Sequence, residues 1–478
     1  LHLSLRRQRQ MCIRDRLLRN RPNTREAISL LASAILFVFN LLLLPSVLAG
    51  DLPTVKVAEP IPGLPIIFRV EPLGLLFGIL SSFLWLITTV YSIGYLRAHH
   101  EPNQSRFFTF FALAIGSTIG VAFSGNLLTL FVFYELLTFS TYPLVTHTGT
   151  AEARQAGRKY LIILVGTSVA FLLVAVIWTW LLAGTVEFRA DGILNGVASP
   201  AIIGLLYVLF VFGVGKAALM PFHRWLPAAM VAPTPVSALL HAVAVVKAGV
   251  FAILKITIYV FGVDLIHGAS VTDWLMWVAA GTIIIASLIA LYQDNLKRRL
   301  AYSTVSQLSY VVVGTLLANA SGVTGAALHI ATHAFGKITL FFCAGAILVV
   351  THKTEISKMN GLGRQMPITM GAFLLASISN AGLPPMGGGW GKWYIAFGAL
   401  DAGYGALVGV LMLSTLLNIA YLLPIPIRAF FSADRAPRAG ITEAPVACLI
   451  AIVLTTTMCI ALFFYPAPIL RLIGSLVR

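Results

Sequence analysis

Charge is scarce in this sequence. Asp, Glu, Lys and Arg make up 10% of its 478 residues, whereas soluble domains carry roughly 25%. That excludes a water-facing globule as the main body. Cysteine is equally sparse: Cys12, Cys343, Cys448 and Cys459, with no C-x-x-C pair. Iron–sulfur clusters need closely spaced cysteine ligands, so none is expected. No Gly-rich phosphate loop, flavin motif or haem-attachment motif appears either. The chain is therefore expected to hold no cofactor and to perform no redox or hydrolytic chemistry of its own.

What the chain has in abundance is apolar length. Hydrophobic residues are 58% of the total. A spanning helix needs about 20 mostly apolar residues. Thirteen such stretches occur, near 27–49, 72–95, 107–124, 126–148, 158–184, 201–221, 233–262, 273–293, 298–319, 322–351, 367–399, 404–430 and 443–473. The expected fold is an all-α polytopic membrane protein, multi-pass in a bacterial-type inner (plasma) membrane.

The net charge of +16 comes from 33 basic and 17 acidic residues. Much of it lies in residues 1–26 and most of the rest in short loops, without the basic face that nucleic acid needs, so no nucleic-acid partner is expected. The loops before odd-numbered stretches hold Arg19/Arg21/Arg25, Arg97/Arg106, Arg154/Arg158/Lys159, Arg224, Lys297/Arg298/Arg299, Lys353/Lys358/Arg364 and Arg428/Arg435/Arg438. The opposite loops hold Lys56, Arg69 and Arg189, balanced by acids. Basic loops stay cytoplasmic. This places the N-terminus inside and the C-terminus outside. Within the first residues, RQMCIRDR resembles translated sequencing-adapter read-through, so residues 1–18 are expected to be a non-native leader. A basic cytoplasmic leader is the alternative.

Two stretches are interrupted alike: GVGKAALMPFHRWLP at 213–227 and GLPPMGGGWGKWY at 382–394. Each sets a lysine among Gly and Pro. Matched broken segments point to repeats and a mid-membrane site. Charges inside the bilayer are costly and usually functional. Five candidates stand out: Glu135, Lys216, Lys247, Lys337 and Lys392. For Lys216, snorkelling to the interface and function are both open. Lys255 is expected to snorkel. His329, His333 and Lys337 recur every four residues and share one helical face. A core histidine pair, a metal site and a proton relay are the readings of HIATH. The motif lacks the Glu of H-E-x-x-H and a third ligand, so no metal is expected. Histidine titrates near neutral pH, which favours the relay. Burial disfavours a charged amine and a nearby carboxylate favours it. Lysines near Glu135 are thus suited to load and release protons.

These residues carry a resemblance. FYELLTFSTYPLV, GKAALMPFHRWLPAAMVAPTPVSALLHAVAVVKAG, KRRLAYSTVSQLSY, HIATHAFGKITLFFCAGAI and GLPPMGGGWGKWY resemble the antiporter-like proton-translocating membrane subunits. These subunits are shared by Mrp-type cation/proton antiporters, respiratory complex I and membrane-bound hydrogenases, and the chain looks most like the D-type member of the Mrp set. The resemblance implies fourteen helices in two inverted five-helix repeats with broken helices. Residues 19–478 would then form one transmembrane domain that begins at the family's second helix, with half-channels near 107–262 and 273–430. It also implies roles. Glu135 would be the conducting glutamate and Lys216 the lysine of the first broken helix. Lys247 would connect the halves, His329, His333 and Lys337 would serve the second channel, and Lys392 would end it. The implied function is proton translocation in a multisubunit monovalent cation/proton antiporter. The alternative is a proton-pumping, translocase-type subunit of a complex I-like NADH-quinone oxidoreductase or a membrane-bound hydrogenase. Partners would be the other subunits, protons, Na+ or K+, and lipid. An independent solute transporter would need further polar clusters, which the chain lacks.

Overall fold

The computed structural model describes residues 21–267, 273–432 and 440–474. The suspected leader, residues 1–18, lies outside the described residues. Each of the thirteen expected stretches is helical over part or all of its length. Among the described residues, ten helices are long and apolar enough to cross a membrane by length and composition. Two shorter apolar helices, Pro200–Gly213 and Pro367–Ala381, lead into the interrupted segments.

Helix starts follow local chemistry. Proline opens the helices Pro22–Leu42, Pro72–Ala98, Pro200–Gly213 and Pro367–Ala381, where its missing N–H costs nothing. Asn126, Asn295 and Asn319 accept the N–H of Thr129, Arg298 and Gly322, capping the helices that follow.

The helices sort by burial. Ala320–Thr351 and the stretch Thr234–Phe261 form the centre, and the latter is buried throughout. Outer helices turn Ile28, Leu31, Leu113, Ile162, Leu181, Met412 and Leu416 outward. Such apolar surface suits lipid, because backbone polar groups are satisfied within each helix.

Loops segregate into two faces, as the charge alternation requires. On one face, Arg25 bonds Gln104 and Ser105, and Arg97 bonds Glu26. There too Asp294 accepts from Ser357, and a cavity of about 790 Å³ is lined by Lys159, Pro227, Arg298 and Glu355. On the other face the antiparallel hairpin β1 (Thr54–Ile61) and β2 (Leu64–Arg69) joins the loops near 123 and 188. Tyr404 bonds Asp273 and Ser321 bonds Asp401 on that face.

Two findings change the expected picture. A third break interrupts the central stretch at Val243 and Ala244, between the helices Thr234–Ala242 and Val245–Ile256. No proline or glycine marks it. Lys255 does not snorkel: it is 0% exposed, and its Nζ lies 3.0 Å from Glu71 Oε2. The carboxylate of Glu71, at the start of Pro72–Ala98, and the carbonyl of Ala122 hold the ammonium inside. Removing one partner of a buried pair costs about 3–5 kcal/mol, whereas a neutral replacement of both is far cheaper. Glu71→Ala should therefore lower thermal stability in detergent strongly. Glu71→Gln combined with Lys255→Met should recover most of that loss in the same melting assay.

Candidate functional site

All four expected lysines of the interior are buried, and each is held by a different device. Lys216 sits in a short 3-10 turn, Gly215–Ala217, where the Pro200–Gly213 helix has ended. Its Nζ donates to the Tyr134 carbonyl at 2.7 Å and to Thr138 Oγ1 at 2.6 Å, and lies over the Tyr134 ring. It is fully buried, which removes the snorkelling alternative. Glu135 follows Tyr134 on the helix Leu127–Val145 and is half-buried. Its Oε1 is buried without a hydrogen-bond partner, and none of the ion pairs within 4.0 Å among the described residues includes it.

Lys247 lies one turn past the unexpected break. Its Nζ and His333 Nδ1 are 2.6 Å apart, a direct hydrogen bond between the helices Val245–Ile256 and Ala320–Thr351. His333 stacks on His329, with ring centres 5.5 Å apart, and His329 stacks on Tyr310 at 5.4 Å. The Lys392 ammonium lies 4.9 Å from the Tyr310 ring centre. It donates to the carbonyls of Asn380 and Ala381 at 3.0 and 2.9 Å. Those carbonyls end the helix Pro367–Ala381, so the break supplies the acceptors. A line thus runs Lys247, His333, His329, Tyr310, Lys392. Lys337 leaves this line: its Nζ donates to Ser303 Oγ at 2.6 Å, and Ser303 is hydrogen-bonded with the Tyr421 hydroxyl at 2.9 Å.

Two glycines allow the approach. A Cβ on Gly249 would stand 2.4 Å from Ala217 N and 2.5 Å from Lys216 C. The Lys247 helix therefore presses directly on the Lys216 turn. A Cβ on Gly391 would stand 2.8 Å from His329 Cα, so the Lys392 helix lies against the histidine helix.

Sequence reasoning missed several members of the site. Tyr134, Thr138, Ser303, Tyr310 and Tyr421 are ordinary residues in apolar helices until their partners are known. His241 was visible, six residues before Lys247 in LHAVAVVK. It is buried, with its ring 4.5 Å from Phe341. Both its ring nitrogens, both of His329 and Nε2 of His333 have no hydrogen-bond partner. Buried polar atoms are normally satisfied, so these nitrogens suit a site where protons change places.

Buried, uncompensated amines strung between broken helices define a membrane protein built to handle protons or cations. The comparisons agree with that class. Residues 124–418 match the family described as NADH:quinone oxidoreductase/Mrp antiporter, transmembrane. The chain belongs to this family.

Among its relatives is the NADH-quinone oxidoreductase subunit N of Desulforudis audaxviator, 35% identical over 79% of this chain and 75% of that one. The chloroplastic NAD(P)H-quinone oxidoreductase subunit 5 of Ipomoea purpurea is 32% identical over 68% of this chain and 47% of its own length. A probable K(+)/H(+) antiporter A/B subunit of Rhizobium meliloti is 34% identical over 76% of this chain and 36% of its own length. The chain thus spans about half or less of the length of several relatives. Among solved structures, a chain of the Mrp complex from Dietzia sp. DQ12-45-1b matches with a TM-score of 0.85 and 22% identity, covering 96% of this chain and 93% of that one. A chain of an archaeal membrane-bound sulfane sulfur reductase matches at 0.83 and 24%, covering 95% and 92%. At these identities the structural matches speak for the fold.

The close approach at Gly391 is testable. Gly391→Ala should force the histidine helix away and cost about 1–3 kcal/mol, read as a lower melting temperature. Gly409→Ala, where an added Cβ meets nothing within 4 Å, should cause no loss.

Proposed function

We propose that this chain is a proton-translocating membrane subunit of a multisubunit monovalent cation/proton antiporter. The observation that carries the reading is the Lys247–His333 hydrogen bond, which joins the two broken halves through groups that both exchange protons. The half-channels, near 107–262 and 273–430, meet there.

In this reading Glu135 and Lys216 form the first station. Glu135 has a carboxylate oxygen free of hydrogen bonds, and Lys216 is held only by neutral oxygens. A lysine with neutral partners is stable enough to stay and unpaired enough to give up its charge. Gly249 brings the Lys216 turn against the Lys247 helix. Lys247 passes a proton to His333 at hydrogen-bond distance. The imidazoles of His333 and His329 carry it toward Lys392, which rests on the carbonyls of the second break. Lys337, tied to Ser303 and Tyr421, is a side station whose charge biases the line. The line moves protons and makes no covalent bond. The antiported cation and the other subunits complete the machine.

A second reading is favoured by one observation. The Desulforudis relative, which is named for an oxidoreductase, aligns over three quarters of its length. Here the same line would serve a complex I-like NADH-quinone oxidoreductase or a membrane-bound hydrogenase. Flavin and iron–sulfur absorbance in the purified assembly would support this second reading. Proton movement driven by Na+ or K+ in vesicles supports the first.

The relay itself has a direct test. In vesicles holding the full complex, Glu135→Ala, Lys247→Met and Lys392→Ala should each cut dye-detected proton movement by about a hundredfold or more, the lower end of the range for removing one positioned proton-transfer group. Near-wild-type movement in all three would sink the relay.

A further inference from the structure

The charged cluster at the outer end of the first half takes no part in the line described above. Glu71 and Lys255 are shut from solvent, 3% and 0% exposed. Arg69 lies within 4.0 Å of Glu187, whose side chain is 44% exposed, so the cluster reaches the surface. Arg69 and Tyr259 are the other titratable or charged groups facing the buried pair among the described residues, and Glu187 stands beside Arg69.

Lys247, Phe251 and Lys255 recur every four residues and share one face of their helix. The two lysines are eight residues apart, about 12 Å along the axis. Phe251 stands midway and stacks on Phe77, with ring centres 4.6 Å apart at 24°. Phe77 lies six residues inward from Glu71 on its own helix. On one helix an aromatic ring thus sits between the central Lys247 and the outer Lys255, and the Glu71 helix sets a second ring against it.

We propose that Glu71 and Lys255 form a second, outward-facing proton port of the first half, and that the Phe77–Phe251 pair is the dry gate between this port and Lys247. The proposal rests on the relay reading above. Stacked apolar side chains interrupt a water chain, and hydrophobic constrictions gate in this way. When the rings part, water links the Lys247 ammonium to the Glu71 carboxylate. Glu71 takes the proton, its hold on Lys255 weakens, and the proton leaves past Arg69 and Glu187. Lys255 is the positioning residue and Glu71 the exchanging one. The sequence disguises the pair, since Glu71 reads as a loop acid and Lys255 as a snorkelling lysine.

The test uses the full complex in vesicles and reads passive proton leak by dye quenching. Phe251→Ala should raise the leak several-fold, and Phe77→Ala, on the other helix, should do the same. Adding Glu71→Gln with Lys255→Met should return the leak to the wild-type level. Assembled gate variants with no added leak, or a leak that persists without Glu71, would overturn the port. Should the truncations not assemble, Glu71→Gln with Lys255→Met in the intact gate decides. The proposal requires its transport to lose dependence on outer-side pH, and an unchanged profile overturns it. Lys392→Ala separates the two readings. Loss of transport there with a normal outer profile in the Glu71 variant rejects the port alone, and near-wild-type transport there and in Glu135→Ala and Lys247→Met rejects the relay.

Discussion

An ammonium group in hydrocarbon must be held by something, and the interior of this protein is organised by how that need is met. Five lysines are buried inside it. Lys216, Lys337 and Lys392 lean on hydroxyls and carbonyls, and Lys247 leans on an imidazole. Only Lys255 among them has a carboxylate within 4.0 Å. Neutral acceptors steady an amine in either protonation state, whereas a fixed anion ties it to one. In the proposed reading, that difference separates stations able to change charge from a site that holds charge until something releases it.

The broken helices follow from the same need. A continuous helix spends its carbonyls on its own N–H groups. Where Pro367–Ala381 stops, the carbonyls of Asn380 and Ala381 become available to Lys392. Where Pro200–Gly213 stops, Lys216 turns back toward the Tyr134 carbonyl. Irregular backbone is tolerated at membrane depth only when protein or water satisfies it, and here the lysine itself is part of that satisfaction. The glycines at 249 and 391 let neighbouring helices close on these breaks. Backbone gaps and amines are thus one device, used twice.

Family membership adds a lesson about where specificity resides. Relatives named for oxidoreductases and for antiporters are similar to this chain in sequence. The interior holds amines, imidazoles and hydroxyls, all groups that handle protons whatever supplies the driving force. In the proposed reading the energy source belongs to the partners, so the same buried line can be coupled to electron flow or to an ion gradient.

Composition, apolar run length and loop charge were enough to determine a helical membrane protein, its alternating loops and most of its buried amines, though not the hairpin at 54–69. Those properties are local: a run of about 20 apolar residues, or a lysine among them, carries its cost wherever the chain folds. The two proline- and glycine-rich breaks were legible for the same reason. Pairings were not. Lys255 reads as a peripheral lysine until Glu71, far away in sequence, is seen to face it. The break at Val243 and Ala244 has no proline or glycine to announce it. Tyr310, Ser303 and Tyr421 gain meaning only from the lysines and histidines set beside them. Which amines meet a neutral acceptor and which meet a carboxylate depends on how helices distant in sequence pack together. The tertiary structure alone decided that, because an ion's partner is chosen in space.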